Sequence, residues 1–164
     1  MIHLSETIRQ LASQAEAMRV LAETFTDEQA LWSPGPESWA LKDVLTHLYH
    51  EEQGDFRRHL KAMFGEPPQA QERIAVQDHR QALEAFLAER RASLAWLAAL
   101  PAPDWGVSTV LRFGPDATLT LSAGDMLVSW VEHDILHLRQ IVELLHGCNE
   151  QQTAPYSVRY AGEW

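Results

Sequence analysis

The sequence predicts an all-α fold: an antiparallel four-helix bundle with a long loop or short hairpin between helices 3 and 4. Three observations predict it. Four long stretches carry apolar residues at three- and four-residue spacing, the period of a helix with one buried face. Clusters containing Pro and Gly punctuate the gaps between them. Only residues 107–121 contain β-prone runs, and those are short.

The first helix is expected from about Leu4 to Glu23, on Leu4, Ile8, Leu11, Ala15, Met18 and Leu21. Thr26-Asp27-Glu28-Gln29 has the form of a capping box and opens one short turn. Ser33-Pro34-Gly35-Pro36 then forbids helix. Ser38 is the expected N-cap of the second helix, which continues to about Phe64 and ends at Gly65-Glu66-Pro67-Pro68. The third helix should start near Asp78 and end before Pro101, with an apolar stripe of Leu83, Phe86, Leu87, Leu94 and Leu97. Val107 to Phe113 and Thr118 to Leu121, separated by Gly114-Pro115-Asp116, fit a hairpin or an irregular loop equally well. The fourth helix opens on a capping box of Ser122 and Asp125, flanked by a Leu121–Met126 hydrophobic staple. It is expected to run to about His146, with Gly147 as the C′ residue. The tail from Cys148 reads as irregular, but Tyr156, Tyr160 and Trp164 are large enough that it should pack back on the body. No repeat, low-complexity tract or linker divides the chain, so a single domain over residues 1–164 is expected.

A chain of 164 residues suffices for one domain with a sizeable core, and 46% hydrophobic with 22% charged residues is ordinary for a soluble globular protein. Thirteen basic against 23 acidic residues give a net charge of -10, which repels phosphate backbones and anionic membranes. Neither nucleic acid nor membrane is therefore an expected partner, although a local basic patch would override the net charge. A single cysteine, Cys148, excludes an internal disulfide framework and a Cys-rich zinc finger, and suits a reducing cytoplasm. Met1-Ile2-His3-Leu4-Ser5-Glu6 has no basic region followed by an apolar run, so no secretory signal is expected. No apolar run approaches the length of a membrane span.

Three of the eight histidines carry the chemical signal. His133 and His137 are four residues apart on the fourth helix, so they share a face, one turn apart. Two imidazoles so placed can hold one metal ion, and His47 on the second helix would complete a three-histidine shell. Three protein ligands leave a position open for water or substrate, the mark of a catalytic rather than a closed structural site. With His133 set at zero, His137 falls about 40° away, in a sector shared with Met126, Trp130, Ile141 and Leu144. Leu127, Val131, Leu138 and Leu145 mark the centre of the apolar face, which puts the pair at its margin. Glu132, Arg139 and Glu143 fall on the solvated side. On the second helix, His47, Glu51, Asp55 and Arg58 form a polar row beside an apolar stripe.

Plainer readings stand beside these. A lone histidine on an apolar face is commonly a satisfied core residue, and such a polar row is commonly an interhelical salt-bridge row. His50, His59, His79 and His146 read as surface residues, the six tryptophans as mostly core, and Cys148 as an inert thiol.

Trp32-Ser33-Pro34, followed by Glu37-Ser38-Trp39-Ala40-Leu41-Lys42-Asp43-Val44-Leu45-Thr46-His47-Leu48, resembles the first signature of the DinB-like (DinB/YfiT-type) metalloprotein superfamily. His133-Asp134-Ile135-Leu136-His137-Leu138-Arg139-Gln140-Ile141 resembles its last-helix signature, and the closing run from Pro155 to Trp164 is similar to that group's tail. The resemblance implies a four-helix bundle, often a homodimer, whose three-histidine site maps onto His47, His133 and His137 and commonly holds zinc or nickel. It also implies a small-molecule substrate. Characterised relatives include S-transferases using low-molecular-weight thiols such as bacillithiol or mycothiol, and a thiol-dependent maleylpyruvate isomerase.

The expected function is accordingly a metal-dependent enzyme, a thiol S-transferase or hydrolase. Glu51, one turn beyond His47, is the candidate general base. Asp43, one turn before His47, and Gln140, one turn beyond His137, are candidates for orienting the imidazoles. Arg58 is the candidate for holding an anionic substrate group. Two other readings compete. His133-Asp134-x-x-His137 is similar to the H-E-x-x-H helix of zinc proteases, but Asp134 has a shorter arm, and the longer pattern would want glycine at Gln140 and histidine at Glu143. A non-catalytic metal-binding or stress-related dimeric bundle needs the histidines but no nucleophile.

Overall fold

A computed structural model describes residues 2–67, 70, 74–113 and 117–162. The chain runs through α1 (Leu4–Ala22), α2 (Leu41–Gly54), α3 (Phe56–Met63), α4 (His79–Ala99), β1 (Ser108–Phe113), β2 (Ala117–Ser122) and α5 (Ala123–Gln152), with short 3-10 turns at Gln29–Leu31 and Arg159–Ala161. The helical expectation holds, with a small two-stranded sheet added to it.

Two apolar clusters fix how the helices run. One contains Met18, Val44, Leu45, Phe86, Ile141 and Leu144; the other contains Leu11, Phe56, Leu60, Leu97, Leu127 and Trp130. α1 and α5 pass from the second cluster to the first, whereas α2–α3 and α4 pass from the first to the second. α1 packs on α4 and α5, α2 on α4, and α3 on α5. Antiparallel pairing, expected throughout, therefore holds for α1 with α4 and for α2–α3 with α5, while α1/α5 and α2/α4 run parallel. The reason is the segment after α3, which returns along the bundle before α4 begins. Val76 packs on the first cluster, and the Ile74 amide donates to the Tyr49 hydroxyl (3.2 Å).

Local chemistry explains most boundaries. Thr26 and Gln29 exchange the two hydrogen bonds of a capping box, Asp78 accepts from the Gln81 amide, and Ser122 and Asp125 cap α5 reciprocally. The second helix differs from expectation at both ends. It starts after Ala40, not Ser38, whose amide closes a turn on Gly35; the Asp43 carboxylate takes the Ala40 amide instead. It also breaks at Asp55 (φ -122°, ψ -94°), just after Gly54, the weakest helix former in the run. Leu111 and Leu121 of the hairpin pack on the second cluster, closing that end of the bundle.

α5 continues past His146 to Gln152. Gly147 is not its C′ residue. A Cβ there would lie 2.6 Å from the Trp32 ring, so the glycine makes room for tryptophan inside the helix. The longer helix carries the tail away from the body: Tyr156 and Tyr160 are exposed rather than packed back, and Trp164 lies outside the described residues. Other expectations also shift. His79 is buried beside Asp27, and only Trp130 among the described tryptophans is fully buried. No helix among the described residues is long and apolar enough to cross a membrane.

Candidate metal centre

α2 and α5 bring His47, His133 and His137 together. The Nε2 atom of His133 lies 3.2 Å from that of His47 and 3.1 Å from that of His137, and one ligand atom from each ring falls within 4.8 Å of the other two. With nitrogen–metal bonds of about 2.0–2.1 Å, nitrogens this far apart subtend about 100° at a shared ion, between octahedral and tetrahedral values. Among the described residues this is the one cluster of three or more potential ligands.

Electrostatics keep the rings in the ligating form. Burial, reinforced by neighbouring His137 and His50, holds His47 down to about 4, and burial with His137, His47 and the Arg90 guanidinium holds His133 down to about 3. Burial also lowers His137, with Gln140 and Asp134 acting the other way. All three imidazoles are thus neutral near pH 7 and offer lone pairs rather than protons. The Gln140 carbonyl oxygen sits 2.9 Å from His137 Nδ1, so the proton belongs on Nδ1 and the Nε2 lone pair faces its partners. The residues fit a divalent cation that favours imidazole.

The remaining candidates are placed unevenly. Gln140 orients His137 as expected. Glu51 Oε1 stands 3.8 Å from His47 Nδ1, on the ring's outer edge, too far for a hydrogen bond. Asp43 is occupied in capping α2. Arg58 is exposed on α3, away from the lining of the cleft that adjoins the centre. Asp134, the counterpart of a protease glutamate, is fully buried with both oxygens on Arg90, which removes it from that role.

Two clefts lie one side chain away from the histidines, whose rings are part of neither lining. One, about 680 Å³, lies between the α2–α3 break, the hairpin and α5; Glu51, Phe56, Leu111, Arg112 and Met126 are among its walls. Phe56 sets its ring edge against His133, with centroids 5.1 Å apart. The other, about 540 Å³, is lined by Trp32, Trp39, Gln140 and Glu143. Trp39 stands 4.9 Å from the His47 ring and stacks parallel to His137 at 6.3 Å.

Sequence reasoning missed Trp39 and Phe56 beside the histidines, and Arg112 in the lining of the first cleft. Trp39 sits eight residues before His47, inside the Trp-led signature of the second helix, which was its available signal. Arg112 had none, because its position depends on the hairpin forming.

The sequence profile of the DinB superfamily matches residues 10–141, and the chain belongs to that superfamily. No curated protein matches the sequence significantly.

Proposed function

We propose that this protein is a metal-dependent enzyme that transfers a low-molecular-weight thiol to a small electrophile, with zinc or nickel held by His47, His133 and His137. The observation that carries the reading is the convergence of three neutral imidazole nitrogens on one point. A divalent cation held by His47, His133 and His137 would supply Lewis acidity, the chemistry that makes a thiol or water nucleophilic near neutral pH. Membership of the DinB superfamily supports the metal.

Transfer is preferred to hydrolysis because two separate clefts lie one side chain from the histidines, past Phe56 and past Trp39, and hydrolysis of one organic substrate would use only one. Glu51 lines the first cleft beside His47 and would be the group there that holds a proton released in the reaction. Arg112 reaches that cleft from β1, and the anion-binding role expected of Arg58 passes to it. Trp39 forms an apolar wall that limits water at the centre, while Gln140 holds the His137 ring in place.

Metal analysis of protein purified without a histidine tag should find about one ion per chain, lost in His137→Ala. A thiol-conjugation and hydrolysis panel run on metal-loaded protein should show conjugation, and Glu51→Gln should abolish it while keeping the metal. A stoichiometric metal that survives His137→Ala at unchanged affinity overturns the site. Metal-dependent melting with no turnover on any substrate would leave a non-catalytic metal-binding protein.

A further inference from the structure

Between the two apolar clusters lies a layer of charge that the proposed chemistry does not use. Arg90 of α4 donates through Nε and Nη2 to both Glu52 oxygens of α2 (2.8 Å each). It donates through Nη1 and Nη2 to both Asp134 oxygens of α5 (2.5 and 2.9 Å), and through Nη1 to the Leu11 carbonyl of α1 (3.2 Å). All five guanidinium N–H groups are thereby satisfied. The three side chains are 2%, 1% and 0% exposed.

The hydrogen bonds balance but the charges do not. Two carboxylates face one guanidinium, and among the described residues no second cation pairs with either. Trp130 Nε1 adds a neutral hydrogen bond to Glu52 (3.3 Å), which solvates the charge without cancelling it. Burial accordingly pushes the Glu52 carboxyl above its ordinary value against the pull of Arg90. A net negative charge held out of water is strongly unfavourable unless something nearby compensates it.

The three-histidine centre is next to it. Asp134 directly follows His133 and lies three residues before His137, one turn away on the same helix. Trp130 also stacks on Phe56 (5.6 Å), and Phe56 touches His133, so packed rings join the two clusters.

We infer that the Glu52–Arg90–Asp134 cluster is the counter-charge of the three-histidine centre, its surplus negative charge kept in the core to be balanced by a bound divalent cation. The inference rests on the metal reading above. These are positioning residues: they touch no ligand atom and act by making the neighbouring histidines a stronger cation site than three neutral rings alone.

The test is a zinc titration of the full chain, tag-free and stripped of metal, with melting curves with and without zinc, for wild type, Asp134→Asn and Glu52→Gln. Each amide removes the surplus charge at nearly unchanged shape, and turns one acceptor of Arg90 into a donor. Zinc affinity should fall about ten-fold or more, the scale of residues that support ligands from behind. The zinc-induced rise in melting temperature, read against each variant's own metal-free value, should shrink, whatever the amide costs the metal-free fold. A merely structural cluster behaves differently: metal-free and zinc-loaded proteins lose the same number of degrees and affinity is unchanged, which would overturn the inference. If both amides fail to fold, Glu52→Met/Arg90→Met/Asp134→Leu replaces them, since buried ion triads exchanged together for apolar residues can retain the fold. Wild-type affinity in that variant would likewise overturn it. Failure of wild type itself to bind zinc would instead strike the metal reading.

Discussion

The three histidines and the three charged residues sit side by side in the bundle and are built on opposite principles. The histidine cluster is partly open, neutral and incomplete, with its ligand nitrogens gathered about a common point. The Glu52–Arg90–Asp134 cluster is sealed, charged and complete in its hydrogen bonds. The contrast teaches where each kind of group belongs. A site that must admit a ligand keeps its groups uncharged and half-solvated. A group that acts only through its field can be buried, provided every donor is met.

The largest expected effect breaks the sealed side. Arg90→Ala leaves two carboxylates facing each other in the core without their cation. Removing one partner of a buried ion pair typically costs about 3–5 kcal/mol. Urea unfolding of the metal-free variant should show a loss of that size. A loss under about 1 kcal/mol would mean the cluster is hydrated rather than sealed.

Acid should separate the two clusters next, because they respond with opposite signs. His47 and His133 have folded pKa values of about 4 and about 3, below the ordinary value of about 6.5. Above pH 6.5 both states are neutral and contribute nothing. As pH falls below 6.5 the unfolded chain takes up protons that the folded one refuses, so stability drops progressively until the folded values are reached. Glu52, raised by burial, works the other way, since the folded state holds its proton more tightly than the unfolded chain. Metal-free protein should lose stability between pH 6.5 and 4, and His47→Gln/His133→Leu should lose less. Equal losses would place the acid sensitivity elsewhere.

A smaller change tests the orientation of one ring. Gln140→Leu removes the acceptor that fixes the His137 tautomer. Metal affinity should fall about ten-fold, equivalent to about 1.4 kcal/mol. Unchanged affinity would show that the ring is held by packing alone.

The two clusters were also unequally legible. His133 and His137 announce themselves because four-residue spacing is a local fact, and His47 because it stands in a Trp-led signature. The charged cluster left a fainter trace. Glu52, Arg90 and Asp134 each occupy a core position in a helical stripe: Leu45–Leu48–Glu52–Phe56, Leu83–Phe86–Arg90–Leu97, and Leu127–Trp130–Asp134–Ile141. A charge in such a stripe is tolerated only with a partner, and the partners here are 38 and 44 residues apart in sequence. Reading α4 from its leucines and Phe86 passed over Arg90. The same omission shifted the centre of the α5 face toward Val131, Leu138 and Leu145, although Leu138 and Leu145 are only half-buried and His137 lies deeper than expected. Gly147 misled for a related reason. Its cue was local, a glycine near a helix end, whereas its cause is Trp32, far away in sequence.

The smallest expected effect closes the comparison from the open side. His133→Leu removes a neutral, partly exposed ring from among Phe56 and the other two histidines. Edge-to-face packing of such rings is worth about 0.5–1.5 kcal/mol. Leucine returns part of that by burying apolar surface where an imidazole had been desolvated. Metal-free stability should therefore stay within about 1 kcal/mol of wild type in the urea measurement used for Arg90→Ala, while zinc binding is lost. A penalty as large as that of Arg90→Ala would make His133 a structural core residue, and the division between an open, ligand-ready cluster and a sealed, charge-bearing one would fail at its centre.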